Sequence, residues 1–228
     1  MKAIVFDIGQ TLTYYPVPLN WSKLYRSAFG SVAEKLGIQF TEEEYTHFGE
    51  VLTKYNTRIN PRDKEYSSDT IFTEILENTT VDKSLMQDIK REFYSYFRVD
   101  TNVYPEAEDA LKKIKEMGIL TATLSDVPYG MDNELALGDI GPLIKYIDLP
   151  YTSNDTGYRK PCKEGLLMIA YKLGIDPSEM AFVGDESKDM ECARNAGVKA
   201  ILINRTDEKK DFGQDIVISD LNELIRYL

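Results

Sequence analysis

Short apolar runs alternate with amphipathic stretches along much of this chain. The apolar runs are too short for helices and are bounded by polar residues or glycine, which is typical of buried strands. The stretches between them carry apolar residues at helical spacing. Strands that alternate with helices predict an α/β fold whose parallel sheet is covered by helices on both faces. The predicted strands are 2–6, 119–124, 146–149, 180–183, 199–203 and 216–218, and the predicted helices between and after them are 105–117, 162–173, 186–196 and 219–227.

Residues 16–100 follow a different pattern, because no strand signal occurs among them. This segment is roughly 85 residues long, far beyond the usual connecting loop of about 4–6 residues. It should therefore fold as a module of its own, inserted after the first strand. We predict a core formed by residues 1–15 and 101–228 and a separate helical module at 16–100.

Helix signals support this interpretation of the inserted segment. Apolar residues at helical spacing begin at Trp21 and continue to Leu36, and Gly37 is a plausible stop. Thr41 and Glu44 have the spacing of a capping box, which opens a second helix. Two further helices are predicted at 68–77 and 82–97.

Composition and charge narrow the possible functions. Of the 228 residues 43% are hydrophobic, which is enough to form a buried core. The net charge is −11, and the chain has no cluster of basic residues of the kind that binds nucleic acid. No apolar run reaches the roughly 18 residues that a membrane span needs, and the chain starts with a strand rather than a signal peptide. The two cysteines lie far apart in sequence. We therefore expect a cytoplasmic protein that binds neither nucleic acid nor membrane and is a monomer or a homodimer.

Polar residues at the predicted strand ends could carry chemistry. Asp7, Ser125 and Asp185 each follow an apolar strand, and Lys160 lies in a loop just before a helix. In parallel α/β sheets, ligands bind at the carboxyl ends of the strands. Asp7 could attack phosphorus as a nucleophile, and Asp185 could hold Mg²⁺. Ser125 could donate a hydrogen bond to a phosphoryl oxygen, and Lys160 could neutralise its charge.

Four motifs in one order carry a family resemblance. They are Asp7-Ile8-Gly9-Gln10-Thr11, Ser125, Lys160-Pro161, and Gly184-Asp185 with Asp189. Their order and spacing over residues 1–14 and 101–205 resemble the haloacid dehalogenase (HAD) superfamily of hydrolases, which Mg²⁺-dependent phosphatases dominate. The resemblance implies a Rossmann-like core, and it makes the segment 16–100 an all-α cap.

The resemblance also implies roles for individual residues. The catalytic set would be Asp7, Ser125, Lys160 and Asp189; the substrate-binding set Thr11, Ser125, Asp126 and Lys160; and the Mg²⁺ ligands Asp7, the Gly9 carbonyl and Asp185. Asp7 would be the nucleophile. Asp189 would orient Lys160 or a metal-bound water. We expect Asp185, in addition, to cap the helix that follows it.

One position departs from the family pattern. A second aspartate usually protonates the leaving oxygen and then activates water, and Gly9 stands in its place. Losing general acid–base catalysis costs about 10²–10⁴-fold in rate. Gln10 can orient a water molecule but cannot act as a base. The leading hypothesis is a Mg²⁺-dependent hydrolase of small phosphorylated metabolites that works through an aspartyl-phosphate.

Three alternatives remain open. The chain could be a regulatory or interaction protein that binds Mg²⁺ and phosphate but turns over poorly. It could be similar to phosphonatases, which cleave C–P bonds with a cap lysine, here Lys23, Lys54 or Lys64. It could resemble the metal-free dehalogenase branch, against which the intact Gly184-Asp185 argues. In any of these, Arg58 and Arg62 of the cap could reach a second anionic group on the substrate.

Overall fold

The structure is a computed structural model. It describes residues 1–17, 20–98 and 100–228; residues 18, 19 and 99 of the predicted helical module lie outside it. The helices and strands, in chain order, are β1 (Ala3–Phe6), β2 (Thr13–Tyr14), α1 (Trp21–Leu36), α2 (Glu42–Tyr55), α3 (Ser68–Ile75), α4 (Met86–Phe97), β3 (Asn102–Val103), α5 (Ala107–Glu116), β4 (Leu120–Ser125), α6 (Asn133–Gly138), β5 (Leu149–Thr152), α7 (Ser153–Thr156), α8 (Glu164–Leu173), β6 (Met180–Gly184), α9 (Ser187–Ala196), β7 (Lys199–Ile203), β8 (Ile216–Ile218) and α10 (Leu221–Leu224).

A six-stranded parallel sheet forms the centre of the molecule, in the order β5-β4-β1-β6-β7-β8. Strand β1 is buried throughout, and alternate side chains enter two different apolar clusters. Ile4 and Phe6 pack with α5 and α10, whereas Ala3 and Val5 pack with α8 and α9. Both faces of the sheet are therefore covered, as all-parallel sheets require. The predicted α/β fold is confirmed.

The inserted segment is helical, and its local signals act as predicted. Gly37 ends α1 in the left-handed conformation, with φ of +65°. At the start of α2 the Glu44 N–H donates to Thr41 Oγ1 (3.2 Å) and the Thr41 N–H donates to Glu44 Oε2 (2.8 Å), which completes a capping box. Helices α1 to α4 bury a shared apolar cluster rich in aromatic side chains. The division into two domains at residues 16 and 100 stays a prediction.

The chain after β4 enters the cluster formed by the inserted helices. Val127, Tyr129 and Met131 are buried there, and the Tyr94 hydroxyl of α4 donates to the Tyr129 carbonyl at 2.8 Å. Gly130 lies so close to the insert that a Cβ on it would overlap the carbonyl oxygen of Tyr66. The loop that follows β4, the strand that ends at Ser125, is thus in direct contact with the inserted helices.

Some element boundaries differ from the predictions. The strand predicted at 146–149 lies at 149–152, because residues 141–146 form a 3₁₀ helix. Pro150 obscured this strand in the sequence, and it is tolerated because β5 is an edge strand. Strands β2 and β3, which pair at the two ends of the insert, are too short to show periodicity. No helix of the described residues is long and apolar enough to cross a bilayer.

Candidate active site

The sheet brings three of the predicted residues to one edge. Strand β1 pairs with both β4 and β6, and Phe6 lies opposite Thr123 and Val183. The strands therefore end side by side, with Asp7, Ser125 and Asp185 at or just beyond their carboxyl ends. All three line one cavity of about 710 Å³.

Lys160 joins two of the acidic residues. Its Nζ lies 2.8 Å from Asp7 Oδ1 and 2.7 Å from Asp189 Oδ1, and its side chain is only 1% exposed. Burial alone would lower the pKa of Lys160, but the charges of Asp189, Asp7 and Asp126 raise it well above its usual value. The ammonium group is therefore charged, and it is held against the predicted nucleophile.

Asp189 is held in place from two sides and is fully buried. One oxygen faces Lys160, and the other accepts the Glu186 N–H at 2.9 Å. Glu186, not Asp185, is the N-cap residue of α9, so the expectation that Asp185 caps this helix is wrong. A Cβ on Gly184 would lie 2.5 Å from the Asp189 side chain. The glycine of this motif thus makes room for its last aspartate.

The acidic cluster fits a hard divalent cation. Asp7, Asp185 and Asp189 each present an oxygen, and these atoms lie within 4.8 Å of one another. Burial, with the negative charges of Asp7, Asp189 and Glu186, raises the pKa of Asp185 to about 8. Carboxylate oxygens are the ligands that Mg²⁺ prefers. Both oxygens of Asp189 are engaged, by Lys160 and by a backbone N–H, whereas Asp7 has only Oδ1 against Lys160. Asp7 and Asp185 are therefore the better placed ligands.

Asp126 faces cations from the protein itself. Its Oδ1 accepts the backbone N–H of Lys160 at 3.0 Å, and its Oδ2 lies 3.3 Å from Lys188 Nζ and 3.7 Å from Arg159 Nη2. Burial would raise the pKa of Asp126, but Lys160, Arg159 and Lys188 hold it below its usual value. These contacts suit a residue that positions the lysine loop better than one that binds an anionic substrate.

The segment after Asp7 shows how the departure from the family pattern is accommodated. Apart from its chain neighbours, no heavy atom of the described residues lies within 4 Å of a Cβ built on Gly9. Gln10 has a φ of +55°, and its Oε1 accepts the Tyr104 hydroxyl at 3.3 Å. Thr11 is fully buried, and its side chain is not among those that line the cavity. The space next to the Gly9 Cα is therefore open in the described part of the chain.

The insert contributes residues 20–22, residues 55–59 and Arg62 to the lining of the cavity. Both arginines line it: the Arg58 side chain is 85% exposed, whereas the Arg62 side chain is 14% exposed and is held by Glu65 at 3.1 Å. None of the cap lysines considered for C–P cleavage is among its lining residues in the described part of the chain: Lys23, Lys54 and Lys64.

Sequence reasoning missed Arg159, Glu65 and Lys188. Arg159 and Lys188 line the cavity, and Glu65 binds Arg159 from the insert. Two sequence positions were available as signals, because Arg159 lies directly before Lys160 and Lys188 lies between Asp185 and Asp189. Nothing in the local sequence marks Glu65.

Comparisons with known proteins agree with the motifs. The model of the haloacid dehalogenase-like hydrolase family matches residues 1–197. A phosphoserine phosphatase from Thermus thermophilus is 31% identical over 125 residues, which cover 54% of this chain and 49% of that protein. A phosphoglycolate phosphatase from Escherichia coli is 26% identical over 135 residues, which cover 55% and 50% respectively. The matches thus span about half the length of these relatives.

Solved structures share the fold along the whole chain. A HAD phosphatase from Thermococcus onnurineus has a TM-score of 0.65 at 22% identity, covering 100% of this chain and 97% of that one. A 2-haloacid dehalogenase from Pseudomonas syringae has a TM-score of 0.69 at 19% identity, covering 99% and 97%. At these identities the likeness shows the fold alone.

Proposed function

Because the chain belongs to the haloacid dehalogenase-like hydrolases, we propose that it hydrolyses small phosphate monoesters, with Asp7 as nucleophile and Mg²⁺ as cofactor. The observation that carries this proposal is the buried Lys160 ammonium between Asp7 and Asp189, at 2.8 and 2.7 Å. A charged lysine held against a carboxylate at the carboxyl end of a parallel sheet suits the transfer of an anionic group.

The reaction would proceed in two displacements. An Asp7 carboxylate oxygen attacks phosphorus, the bond from phosphorus to the leaving oxygen breaks, and an aspartyl-phosphate forms. Water then attacks this phosphorus, which releases inorganic phosphate and restores the carboxylate. Lys160 and Ser125 would stabilise the transferring phosphoryl group, and Asp189 would hold Lys160 in place. Bound by Asp7, Asp185 and the Gly9 carbonyl, Mg²⁺ would supply positive charge against the phosphoryl oxygens.

The empty space at Gly9 limits the choice of leaving group. Without a carboxyl group there, the leaving oxygen departs unprotonated or takes its proton from water or substrate. The rate of cleavage therefore falls least for substrates whose leaving groups have a low pKa, such as aryl and acyl phosphates. The same space supports a second candidate function, a protein that binds Mg²⁺ and phosphate and turns over poorly. The absence of Lys23, Lys54 and Lys64 from the residues that line the described cavity argues against C–P cleavage.

The inserted helices would act as a cap over a core of residues 1–15 and 101–228. Segments 20–22 and 55–59 of the cap would contact the leaving group, because they line the cavity that contains Asp7. Arg58 is suited to a second anionic group, since its one ion-pair partner among the described residues is Glu186 at 3.4 Å. The relatives named for phosphoserine and phosphoglycolate, two phosphate esters with carboxylates, fit this assignment.

A substrate panel with and without Mg²⁺ tests the proposal. We expect Mg²⁺-dependent phosphate release from p-nitrophenyl phosphate, and Asp7→Asn should abolish it. Asp176→Asn is the matched control, because it makes the same chemical change in the turn before β6, at the opposite end of that strand. If Mg²⁺ and fluoroberyllate bind but no substrate turns over, the second function replaces the first. Release that survives Asp7→Asn would contradict the nucleophile assignment.

A further inference from the structure

We propose that the insert supplies a positioning residue, Glu65, which holds the loop of Lys160 in its active arrangement through Arg159. The proposal rests on the function proposed above and extends it, because it makes the insert part of the phosphate site as well as of the leaving-group pocket. Neither residue belongs to the four motifs, and they are far apart in sequence.

The backbone of the insert runs beside the lysine loop. Lys64 and Tyr158 form an antiparallel bridge. The Glu65 N–H donates to the Gly157 carbonyl at 3.1 Å, and the Arg159 N–H donates to the Asp63 carbonyl at 2.8 Å. The three residues before Lys160 are therefore paired with residues 63–65 of the insert.

A buried ion pair completes this contact. The carboxylate of Glu65, 2% exposed, binds the guanidinium of Arg159, 7% exposed. Glu65 Oε2 also accepts the Ser153 hydroxyl at 2.7 Å, and Arg159 Nη1 donates to the Val127 carbonyl at 2.8 Å. Both charged groups thus have several partners, as buried charges require.

Arg159 has a second possible partner in Asp126, and the ion pair with Glu65 keeps the guanidinium from moving to it. Its Nη2 lies 3.7 Å from Asp126 Oδ2, while Asp126 Oδ1 accepts the backbone N–H of Lys160 at 3.0 Å. Without the charge of Glu65, the guanidinium would be drawn fully to Asp126. Asp126 would then move away from the backbone N–H of Lys160. The side-chain ammonium of Lys160 would lose its position as a result. Glu65 thus acts on Lys160 through Arg159 and Asp126.

Glu65→Gln tests the proposal, because it removes the charge and keeps the size. We expect kcat per folded molecule on p-nitrophenyl phosphate to fall about 10- to 100-fold, as for other misplacements near 1 Å. The melting temperature should also fall, by roughly 5–15 °C, because Arg159 and Arg62 both lose the charge of Glu65 that pairs with them.

A double variant separates positioning from mere stability. Replacing the pair by apolar residues, Glu65→Leu with Arg159→Met, should restore much of the melting temperature, since such replacements are often neutral or stabilising; the remaining loss comes from Arg62, which still lacks its Glu65 partner. The double variant should not restore kcat. Recovery of kcat together with stability would overturn the proposal, and so would a Glu65→Gln variant with unchanged kcat.

Asp132→Asn is the matched control. Asp132 lies in the loop between β4 and α6 and binds the buried Lys90 of α4 at 3.1 Å. Like the pair of Glu65 and Arg159, it therefore joins the predicted core to the insert. We expect lower stability and unchanged kcat per folded molecule. Fluoroberyllate affinity in Mg²⁺ provides a readout without turnover. Should wild-type protein release no phosphate, a weaker fluoroberyllate complex in Glu65→Gln still supports the inference, and equal affinity contradicts it.

Discussion

Restoring the missing acid at Gly9 is the sharpest test of how this site works. The first carbon of a Gly9→Asp side chain has room, because apart from the chain neighbours no heavy atom of the described residues lies within 4 Å of the new Cβ. The backbone at this position also lies outside the left-handed region. The substitution therefore adds a carboxyl group to the cavity wall without forcing the strand end to move.

The expected gain depends on the leaving group. A positioned general acid contributes about 10²–10⁴-fold, or about 3–5 kcal/mol of activation free energy. Glycerol phosphate, whose alkoxide leaving group needs a proton, should gain this factor in kcat. For p-nitrophenyl phosphate the gain should be about tenfold or less, because its leaving group departs as a stable anion. The new charge joins the carboxylates of Asp7, Asp185 and Asp189, of which Lys160 pairs with two, so the metal-free variant should melt at lower temperature.

Phosphate release from both esters in Mg²⁺ measures the effect. Gly9→Asn is the control, since it has the same size and no transferable proton, and it should leave the ratio of the two rates unchanged. Equal gains on the alkyl and aryl esters with Gly9→Asp, or no gain on either, would refute the missing-acid argument.

Three other predictions concern the acidic cluster. Mg²⁺ at 100 times its Kd should stabilise the fold by about 2.7 kcal/mol in thermal unfolding, and Asp185→Asn should remove most of this effect; no shift in wild type would speak against the cation site. Gly184→Ala should lower stability by about 1–3 kcal/mol and reduce kcat, because its Cβ meets the Asp189 side chain; unchanged unfolding would contradict this. Without Mg²⁺, the folded state keeps a proton on Asp185 up to about pH 8 that the unfolded chain loses near pH 4. The contribution of this group to stability should therefore fall as pH rises through that window, and denaturant titrations of Asp185→Asn should lack that fall.

Local signals predicted most of the fold because they act over a few residues. Gly37 ends α1, and Thr41 with Glu44 opens α2, as their sequence positions indicate. The boundaries around β5 were predicted less well, because Pro150 is unusual in a strand and only its edge position makes it acceptable. Edge position is a property of the sheet order, which the pattern of one strand does not contain.

The local pattern of the sequence was enough to place Asp7, Ser125 and Asp185 at the ends of apolar strands and Lys160 in a loop before a helix, since each of these positions depends on a few neighbouring residues. Which of these groups come into contact depends on the fold of the whole chain. In the folded chain Asp126 accepts the backbone N–H of Lys160, and Glu186, not Asp185, is the N-cap residue of α9. Glu65 of the insert pairs with Arg159. Such contacts join residues far apart in the chain, and they depend on strand register and on how the insert packs. Neither of these leaves a mark in the spacing of residues along the sequence.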